Sequence, residues 1–280
     1  MASLNLKPVS CSSSSSSTPK PHPTSFLLKP WDFSYAPSSD GSDKNLLIMF
    51  HGLGDSKTPF FGLGKQLNLP STAVLSLSAP DPIPLMDHPS FSWYPTLTPT
   101  YDPIPLSSQN PTKNLGSLRK LISALISPEV GWSCEDIHLF GWGQGGSMVL
   151  ELALDTGKNA ITTTATKEQG EETHLNSRFG SAVSICAGLL THPTTDLNLN
   201  TPICYFTRLS PKSSVYSKQL TPIKRAFREV AVIQGSAAGA GEGMPRGRDE
   251  WFGIMKFWAQ VLARKDEGWK GQGEVYEVVR

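Results

Sequence analysis

The strand-to-helix turn at residues 137–154, which reads IHLFGWGQGGSMVLELAL, decides the fold. Its first four residues form a short apolar run that predicts a strand, and its last residues are rich in Leu, Met and Ala and predict a helix. The turn between them has the form of a nucleophile elbow, Gly-x-Nuc-x-Gly, because Gly141 and Gly145 supply the small flanking residues that a sharp turn needs. The central residue is Gly143, which carries no group able to attack a substrate.

Short apolar runs alternate with helical patterns along the rest of the chain. Residues 46–50 form one such run and end in a loop at residues 51–55. This alternation predicts an α/β fold with a mostly parallel central sheet and helices on both faces. Ligands of such sheets bind beyond the carboxyl ends of the strands, so this loop and the elbow mark the candidate site. The other predicted strands are 74–77, 182–186, 202–206 and 230–233, and the other predicted helices are 115–126 and 249–263.

The composition excludes several classes of function. The 280 residues include 25 basic and 24 acidic side chains, and no cluster of Lys or Arg indicates a surface for nucleic acid. No apolar run is long enough to span a bilayer, so no integral membrane segment is expected. The four cysteines form no Cys-x-x-Cys pair, which argues against a zinc site or a disulfide framework and fits a reducing, cytoplasmic environment.

Three segments are predicted along the chain. Residues 1–30 hold nine serines, three lysines and no acidic residue, which predicts a disordered tail. The same composition is typical of a transit peptide, so a plastid or another organelle is the alternative to the cytoplasm. Residues 31–265 are predicted to form one α/β domain, and residues 266–280 a C-terminal extension.

Two stretches interrupt the α/β pattern of the domain. The proline-rich residues 80–111 lack periodicity, and we expect them to roof the site, with Phe91, Trp93 and Tyr94 as apolar anchors. Residues 156–177 are polar, and we expect them to form a mobile excursion at the surface.

The two loops together carry a resemblance to a known family. His-Gly-Leu-Gly-Asp at residues 51–55 and Gly-Trp-Gly-Gln-Gly-Gly at residues 141–146 are similar to motifs of the acyl-protein thioesterase branch of the phospholipase/carboxylesterase family, which has the α/β-hydrolase fold. Catalytic members have Gly-Phe-Ser-Gln-Gly-Gly at the elbow, and the similarity extends over about residues 45–263. The resemblance implies serine-dependent hydrolysis of carboxylic esters and of thioesters on acylated proteins, without a cofactor. It places the oxyanion hole at the backbone N–H groups of Leu53 and Gln144.

All three side chains of the family's catalytic triad are missing from their expected positions. Gly143 stands where the resemblance places the serine, and Ser210 where it places the aspartate. The histidine position falls on Pro245 or Arg246, and no histidine follows His192. A hydrolase without its triad retains only about 10³–10⁴-fold acceleration over the uncatalysed reaction. No catalytic residue is therefore assigned, and the sequence leaves open whether the chain is an enzyme.

Other nucleophiles and bases are less suited to replace the triad. Ser147 lies one helical turn beyond Gly143, and Cys186 and Cys204 lie in apolar strands, where a cysteine usually packs as a small apolar side chain. We expect His51 to shape the loop at residues 51–55 by hydrogen bonding rather than to act as a base.

Two arginines near the histidine position have two interpretations. Arg246 and Arg248 at the rim of a pocket would form a fork that binds a carboxylate or a phosphate. The interpretation that we favour places them in solvent at a helix N-terminus, where Asp249 and Glu250 complement the helix dipole.

The predicted function is that of a carboxylesterase-like or thioesterase-like pseudoenzyme that binds an acyl or ester-like ligand or an acylated protein partner. The expected oxyanion-hole and ligand-binding residues are Leu53, Gln144, His51 and Trp93. The alternative is an active hydrolase of carboxylic esters or palmitoyl-protein thioesters that uses non-standard residues. No cofactor or metal is expected, and the sequence specifies neither the ligand nor the oligomeric state.

Overall fold

A computed structural model describes residues 5–8, 20–84, 86–100, 102–105, 108–165, 178–236, 242–263 and 276–279, with only the backbone described at 5–8, 160–165 and 276–279. The strands are β1 (Asn5–Pro8), β2 (Phe33–Ala36), β3 (Asn45–Phe50), β4 (Thr72–Leu77), β5 (Asp81–Pro82), β6 (Phe91–Ser92), β7 (Ile137–Trp142), β8 (Ser181–Ile185), β9 (Ile203–Thr207), β10 (Val230–Gln234) and β11 (Tyr276–Val279). The α-helices are α1 (Lys57–Leu67), α2 (Thr112–Ile126), α3 (Gln144–Ala165), α4 (Ser214–Ala226) and α5 (Gly247–Val261).

The main sheet has seven strands in the order β10-β9-β8-β7-β3-β4-β2. All neighbouring strands in it are parallel except the β2–β4 pair at one edge. The predicted α/β-hydrolase fold with a mostly parallel sheet is thus confirmed. The described residues also form two antiparallel pairs of strands, β1–β11 and β5–β6.

Side chains of the central strands are buried on both faces of the sheet. In β3, Leu46 and Ile48 belong to a core shared with α2, α3 and α4, whereas Leu47 and Met49 belong to a core shared with α1 and α5. Successive side chains of a strand point to opposite faces, so a strand covered on both sides is buried along its whole length. All six residues of β3 are buried, and the five from Leu46 to Phe50 are apolar.

The sheet order brings the candidate loops together. β3, β7 and β8 are adjacent and parallel, so their carboxyl ends lie at one edge. The loop at residues 51–55 follows β3, the elbow follows β7, and Cys186 follows β8. The two motifs of the sequence therefore meet, as the position of ligand sites in open parallel sheets predicts.

The packed region begins before residue 31, where the sequence placed the domain boundary. Leu28 is fully buried, and the backbone N–H of Lys20 donates a hydrogen bond to Asp43 at 3.3 Å. Residues 20–30 are therefore part of the domain, because Leu28 supplies an apolar anchor that a composition-based boundary overlooks. The predicted disordered tail also contains β1, and residues 1–4 and 9–19 lie outside the described residues.

Two helices were not predicted from the sequence. α1 contains a proline and two glycines, and α4 contains Pro222, and these residues mask the helical pattern of short segments. α3 continues to Ala165, beyond its predicted end near residue 154, so the first part of the polar stretch 156–177 is helical. Residues 166–177 lie outside the described residues. None of the described helices is long and apolar enough to cross a membrane.

Candidate functional site

A cleft of about 970 Å³ opens where the elbow meets α4, and we call it the elbow cleft. Its floor includes Gly143, Gln144 and Ser147, together with residues 186–190 after β8. The remaining lining residues come from the loop after β3, from the roof segment (residues 80–111), from His192 and Pro193, and from α4; they are Leu53, Tyr94, Thr96, Gln109, His192, Pro193, Val215, Ser217, Lys218, Gln219, Thr221, Pro222 and Arg225.

The elbow itself has the backbone geometry that its sequence predicts. Gly143 has a φ of 53°, in the left-handed region, and its N–H donates to Ile185 O at 3.0 Å. A Cβ on Gly141 would lie 2.2 Å from Gly145 O, so the flanking glycines allow the strand and the helix to approach this closely. A Cβ on Gly143 would meet no atom within 4 Å. The central residue of the elbow therefore faces open space within the cleft lining.

The predicted oxyanion-hole residues both line the cleft. Gln144 is the first residue of α3, and Leu53 lies in the turn that follows β3. Among the described residues, neither backbone N–H has a hydrogen-bond acceptor. The first N–H groups of a helix have no partner within the helix, and the helix dipole makes this end partially positive. Neither donor is therefore taken up by another group of the described residues.

His51 is fully buried and does not line the cleft. Its Nε2 accepts a hydrogen bond from the N–H of Ala79 at 2.9 Å, so its Nδ1 carries the proton and donates to Gly52 O at 2.6 Å. Burial lowers the pKa of His51, although the bond to Gly52 O and the charge of Asp55 oppose this effect. Both nitrogens of the imidazole are thus engaged with backbone groups, at Gly52 in the loop at residues 51–55 and at Ala79.

Trp93 anchors the roof segment and does not line the cleft. Its side chain is fully buried, its indole N–H donates to His51 O at 2.8 Å, and its backbone N–H donates to Gln144 Oε1 at 2.7 Å. The amide of Gln144 also donates from Nε2 to Tyr94 O at 2.6 Å. These bonds fasten the roof segment to the first residue of α3. Three residues of the segment, Tyr94, Thr96 and Gln109, then contribute to the cleft lining.

The positions predicted for the triad aspartate and histidine lie outside the cleft lining. Ser210 is exposed after β9, and its Oγ accepts from the N–H of Lys212 at 3.3 Å. Pro245 is buried, and Arg246 is the N-cap residue of α5. Arg246 and Arg248 are both exposed and neither lines the cleft. The geometry agrees with solvated residues at a helix N-terminus and gives no support to an anion-binding fork at this cleft.

Comparison with known proteins agrees with this architecture. Residues 36–196, more than half of the chain, match the model of the phospholipase/carboxylesterase family. The chain belongs to this family. A protein of Mycosarcoma maydis described as an uncharacterized hydrolase is 30% identical over 248 residues, which cover 88% of this chain and 87% of that protein. Among solved structures, esterase PE8 has a TM-score of 0.59 at 15% identity, and Zea mays acyl-protein thioesterase 2 has one of 0.55 at 16% identity. Each comparison covers 83% of this chain and 99% of the other.

In this phospholipase/carboxylesterase family member, a buried ion pair occupies the region between β9 and α5. Arg208 donates from Nη2 to Glu250 at 2.5 Å and to Met244 O at 2.9 Å, and from Nη1 to Gly243 O at 2.8 Å. The exposed fractions of the two charged side chains are 3% for Arg208 and 11% for Glu250. The pair joins the segment after β9 to the first turn of α5, and the two bonds to Gly243 O and Met244 O reach the segment before α5. These segments are close in sequence to the positions where the resemblance places the family's aspartate and histidine. Sequence reasoning did not find this pair.

The charge of Glu250 is stabilised by several donors. Burial raises its pKa, but the backbone N–H groups of Arg246 and Ser236 and the guanidinium of Arg208 outweigh this and hold the pKa below its ordinary value. Glu250 is therefore ionised at neutral pH and paired with Arg208. A carboxylate bound in this way orders the loop before α5 and is not available as an acid or a base.

Two nucleophilic side chains line the cleft near Gly143. Ser147 donates from Oγ to Gly188 O at 2.8 Å. Cys186 follows β8, has a φ of 57°, and is half-buried against Gly243 O, whereas the sequence had placed it within the strand. Burial, reinforced by the carboxylate of Glu242, raises the pKa of the Cys186 thiol to about 12. At neutral pH neither side chain is an activated nucleophile. Among the described residues, no group of three His, Cys, Asp or Glu side chains is placed to hold a metal ion.

Proposed function

We propose that this chain is a non-hydrolytic member of the phospholipase/carboxylesterase family that binds an acyl or ester-like compound in the elbow cleft. The observation that carries the proposal is the backbone of Gly143, which keeps the positive φ of an elbow but presents no side chain to the open space in front of it. Ester hydrolysis through an acyl-enzyme needs a nucleophile at this point. Binding needs only the cleft and its donors.

The donors suit the carbonyl oxygen of such a compound. Leu53 and Gln144 line the cleft, and their backbone N–H groups have no acceptor among the described residues. In hydrolases of this kind, paired backbone N–H groups stabilise the oxygen that becomes negatively charged. Without an attack, the same two hydrogen bonds contribute to affinity for the bound carbonyl group. An acyl compound carried on a protein presents the same carbonyl oxygen as a free ester.

No neighbouring group replaces the missing nucleophile. The proton of Ser147 is engaged with Gly188 O, and both nitrogens of His51 are engaged with the backbone. The Cys186 thiol is protonated at neutral pH because its pKa is raised to about 12. These contacts of Ser147, His51 and Cys186 therefore do not favour the alternative function, an active hydrolase of carboxylic esters or thioesters.

A fluorophosphonate probe and an ester-binding assay test the proposal together. A fluorophosphonate labels an activated serine, so we expect no labelling of the purified chain, whereas neutral fatty-acid esters raise its melting temperature. The matched variant is Gly143→Ser, which restores the hydroxyl alone; we expect neither labelling nor turnover of p-nitrophenyl esters, because Ser210 and Pro245 supply no acid or base.

Several results would overturn the proposal. Labelling of Ser147, or steady turnover of a thioester by the wild-type chain with acylation of Cys186, would establish a hydrolase with different residues. Robust esterase activity in Gly143→Ser would mean that a base within reach of the elbow has been overlooked. The absence of any thermal stabilisation by esters would contradict the binding function.

A further inference from the structure

One face of α4 forms a wall of the elbow cleft. Val215, Lys218, Pro222 and Arg225 all line it, at spacings of three, four and three residues. Residues at such spacings lie on the same side of a helix. This face therefore alternates apolar and basic side chains along the cleft, over about 15 Å at 1.5 Å per residue.

α4 is fixed against the floor next to the elbow. A Cβ on Gly188 would lie 3.1 Å from the Cβ of Gln219, so the loop after β8 packs directly on the middle of α4. Ser147 donates to Gly188 O, and the hydroxyl of Tyr205 donates to the side chain of Gln219. The basic face is thus held at a defined position relative to the first turns of α3.

The charge of the cleft has one sign. Among its lining residues, Lys218 and Arg225 are positive and His192 adds an imidazole, while no aspartate or glutamate lines it. Within the described part of the chain, neither Lys218 nor Arg225 forms an ion pair. The guanidinium of Arg225 donates to Pro193 O at 3.5 Å, beside His192. All three side chains are exposed at the rim. A positive rim without a counter-charge attracts anions and raises their local concentration.

We propose that the elbow cleft selects acyl compounds that carry a second, anionic group remote from the carbonyl, either a carboxylate or a phosphate. The carbonyl oxygen binds at the N–H groups of Leu53 and Gln144, and the apolar chain runs along Val215 and Pro222. The anionic group then reaches Lys218 and Arg225. This inference rests on the proposed function, since it specifies the chemistry of the ligand for the same cleft.

Two esters of the same dicarboxylic acid, one anionic and one neutral, provide the test. The monomethyl ester of suberic acid carries one carboxylate, and the dimethyl ester of the same acid is neutral. At low ionic strength we expect calorimetry to give about fivefold tighter binding of the monomethyl ester, because each exposed charge pair contributes only a modest free energy. The preference should shrink at high salt, where exposed charges are screened. The methyl ester of an ω-phosphoryloxy acid of the same chain length distinguishes phosphate from carboxylate.

Matched charge variants locate the effect. Lys218→Gln combined with Arg225→Gln removes both basic groups from the cleft wall, and we expect the preference to fall below about twofold. Lys212→Gln combined with Lys224→Gln removes the same charge from exposed positions at and near α4 that do not line the cleft, so it should keep the preference. Circular dichroism and melting temperatures of the two double variants check that both remain folded.

The outcomes separate this inference from the proposed function. Equal affinity of the wild-type chain for the two esters would overturn the inference, and so would an equal loss of preference in both double variants. In either case, binding of the neutral ester would still support the proposed function. If neither ester binds, the inference and the proposed function fail together. The salt dependence of the wild-type preference keeps the test decisive even where a variant is poorly folded.

Discussion

The loops that line the elbow cleft and the buried ion pair outside its lining are two contrasting regions of the molecule. The loop after β3 and the elbow after β7 contribute the positive φ of Gly143 and two backbone N–H groups that have no acceptor among the described residues. The segment after β9 and the first turn of α5 are joined by the side chains of Arg208 and Glu250. Backbone donors depend only on the turns that present them, whereas the ion pair depends on two particular side chains. On the proposed function, the donors that bind a ligand therefore outlast the side chains that would react with it.

The buried ion pair of Arg208 and Glu250 gives the largest expected effect. Arg208→Met leaves the carboxylate of Glu250 buried without its charged partner, and we expect the free energy of unfolding to fall by about 3 kcal/mol. Chemical denaturation measures this loss. Arg119→Met is the control, since the Arg119–Asp155 pair is far more exposed and should contribute less than about 1 kcal/mol.

The same pair also predicts a pH dependence. The pKa of Glu250 is lower in the folded state than in the unfolded state, so the stabilisation is complete above the unfolded value and is lost as the pH falls through the folded value. The difference in stability between wild type and Arg208→Met should therefore narrow under acidic conditions. If the difference in the free energy of unfolding between wild type and Arg208→Met stays constant down to low pH, the loss in the variant does not come from the ion pair with Glu250.

The close approach within the elbow gives the second effect. In Gly141→Ala the new Cβ meets a backbone oxygen that no side-chain rotation can move, so we expect a loss of about 2 kcal/mol in stability. Gly116→Ala is a matched change within α2, where a Cβ meets nothing within 4 Å, and it should stabilise the chain by about 0.5–1 kcal/mol. If both variants have the same stability, the packing of the elbow is looser than these contacts indicate.

The smallest effect concerns the centre of the elbow. Gly143→Ser adds a side chain to a residue with a φ of 53° but creates no clash, so only the left-handed backbone is penalised, by about 1 kcal/mol. Gly143→Ala should cost the same, which the midpoint of urea unfolding can measure. A clearly larger loss for either variant would mean that the open space in front of the elbow is filled in solution.

Local sequence predicted the elbow and the loop after β3, whereas long-range contacts determine the rest of the site. The elbow and the loop after β3 are each encoded within six residues, and their strands are continuous apolar runs. The Arg208–Glu250 pair joins residues 42 positions apart, and the amide of Gln144 reaches Tyr94 across 50 positions. No spacing rule connects such residues, because their proximity follows from the order of the strands. α4 escaped prediction because Pro222 interrupts a polar helix, so the basic wall of the cleft also remained hidden.

The side chain of Gln144 couples the stability of two segments. The side-chain amide of Gln144 forms hydrogen bonds with the backbone of Trp93 and Tyr94, and the backbone of Gln144 begins α3. We expect protease access to the peptide bonds around Trp93 to require release of the Gln144 side chain at the start of α3. Limited proteolysis there should report on this release, and a ligand that holds the Gln144 N–H should slow the cleavage without touching the cleaved bond.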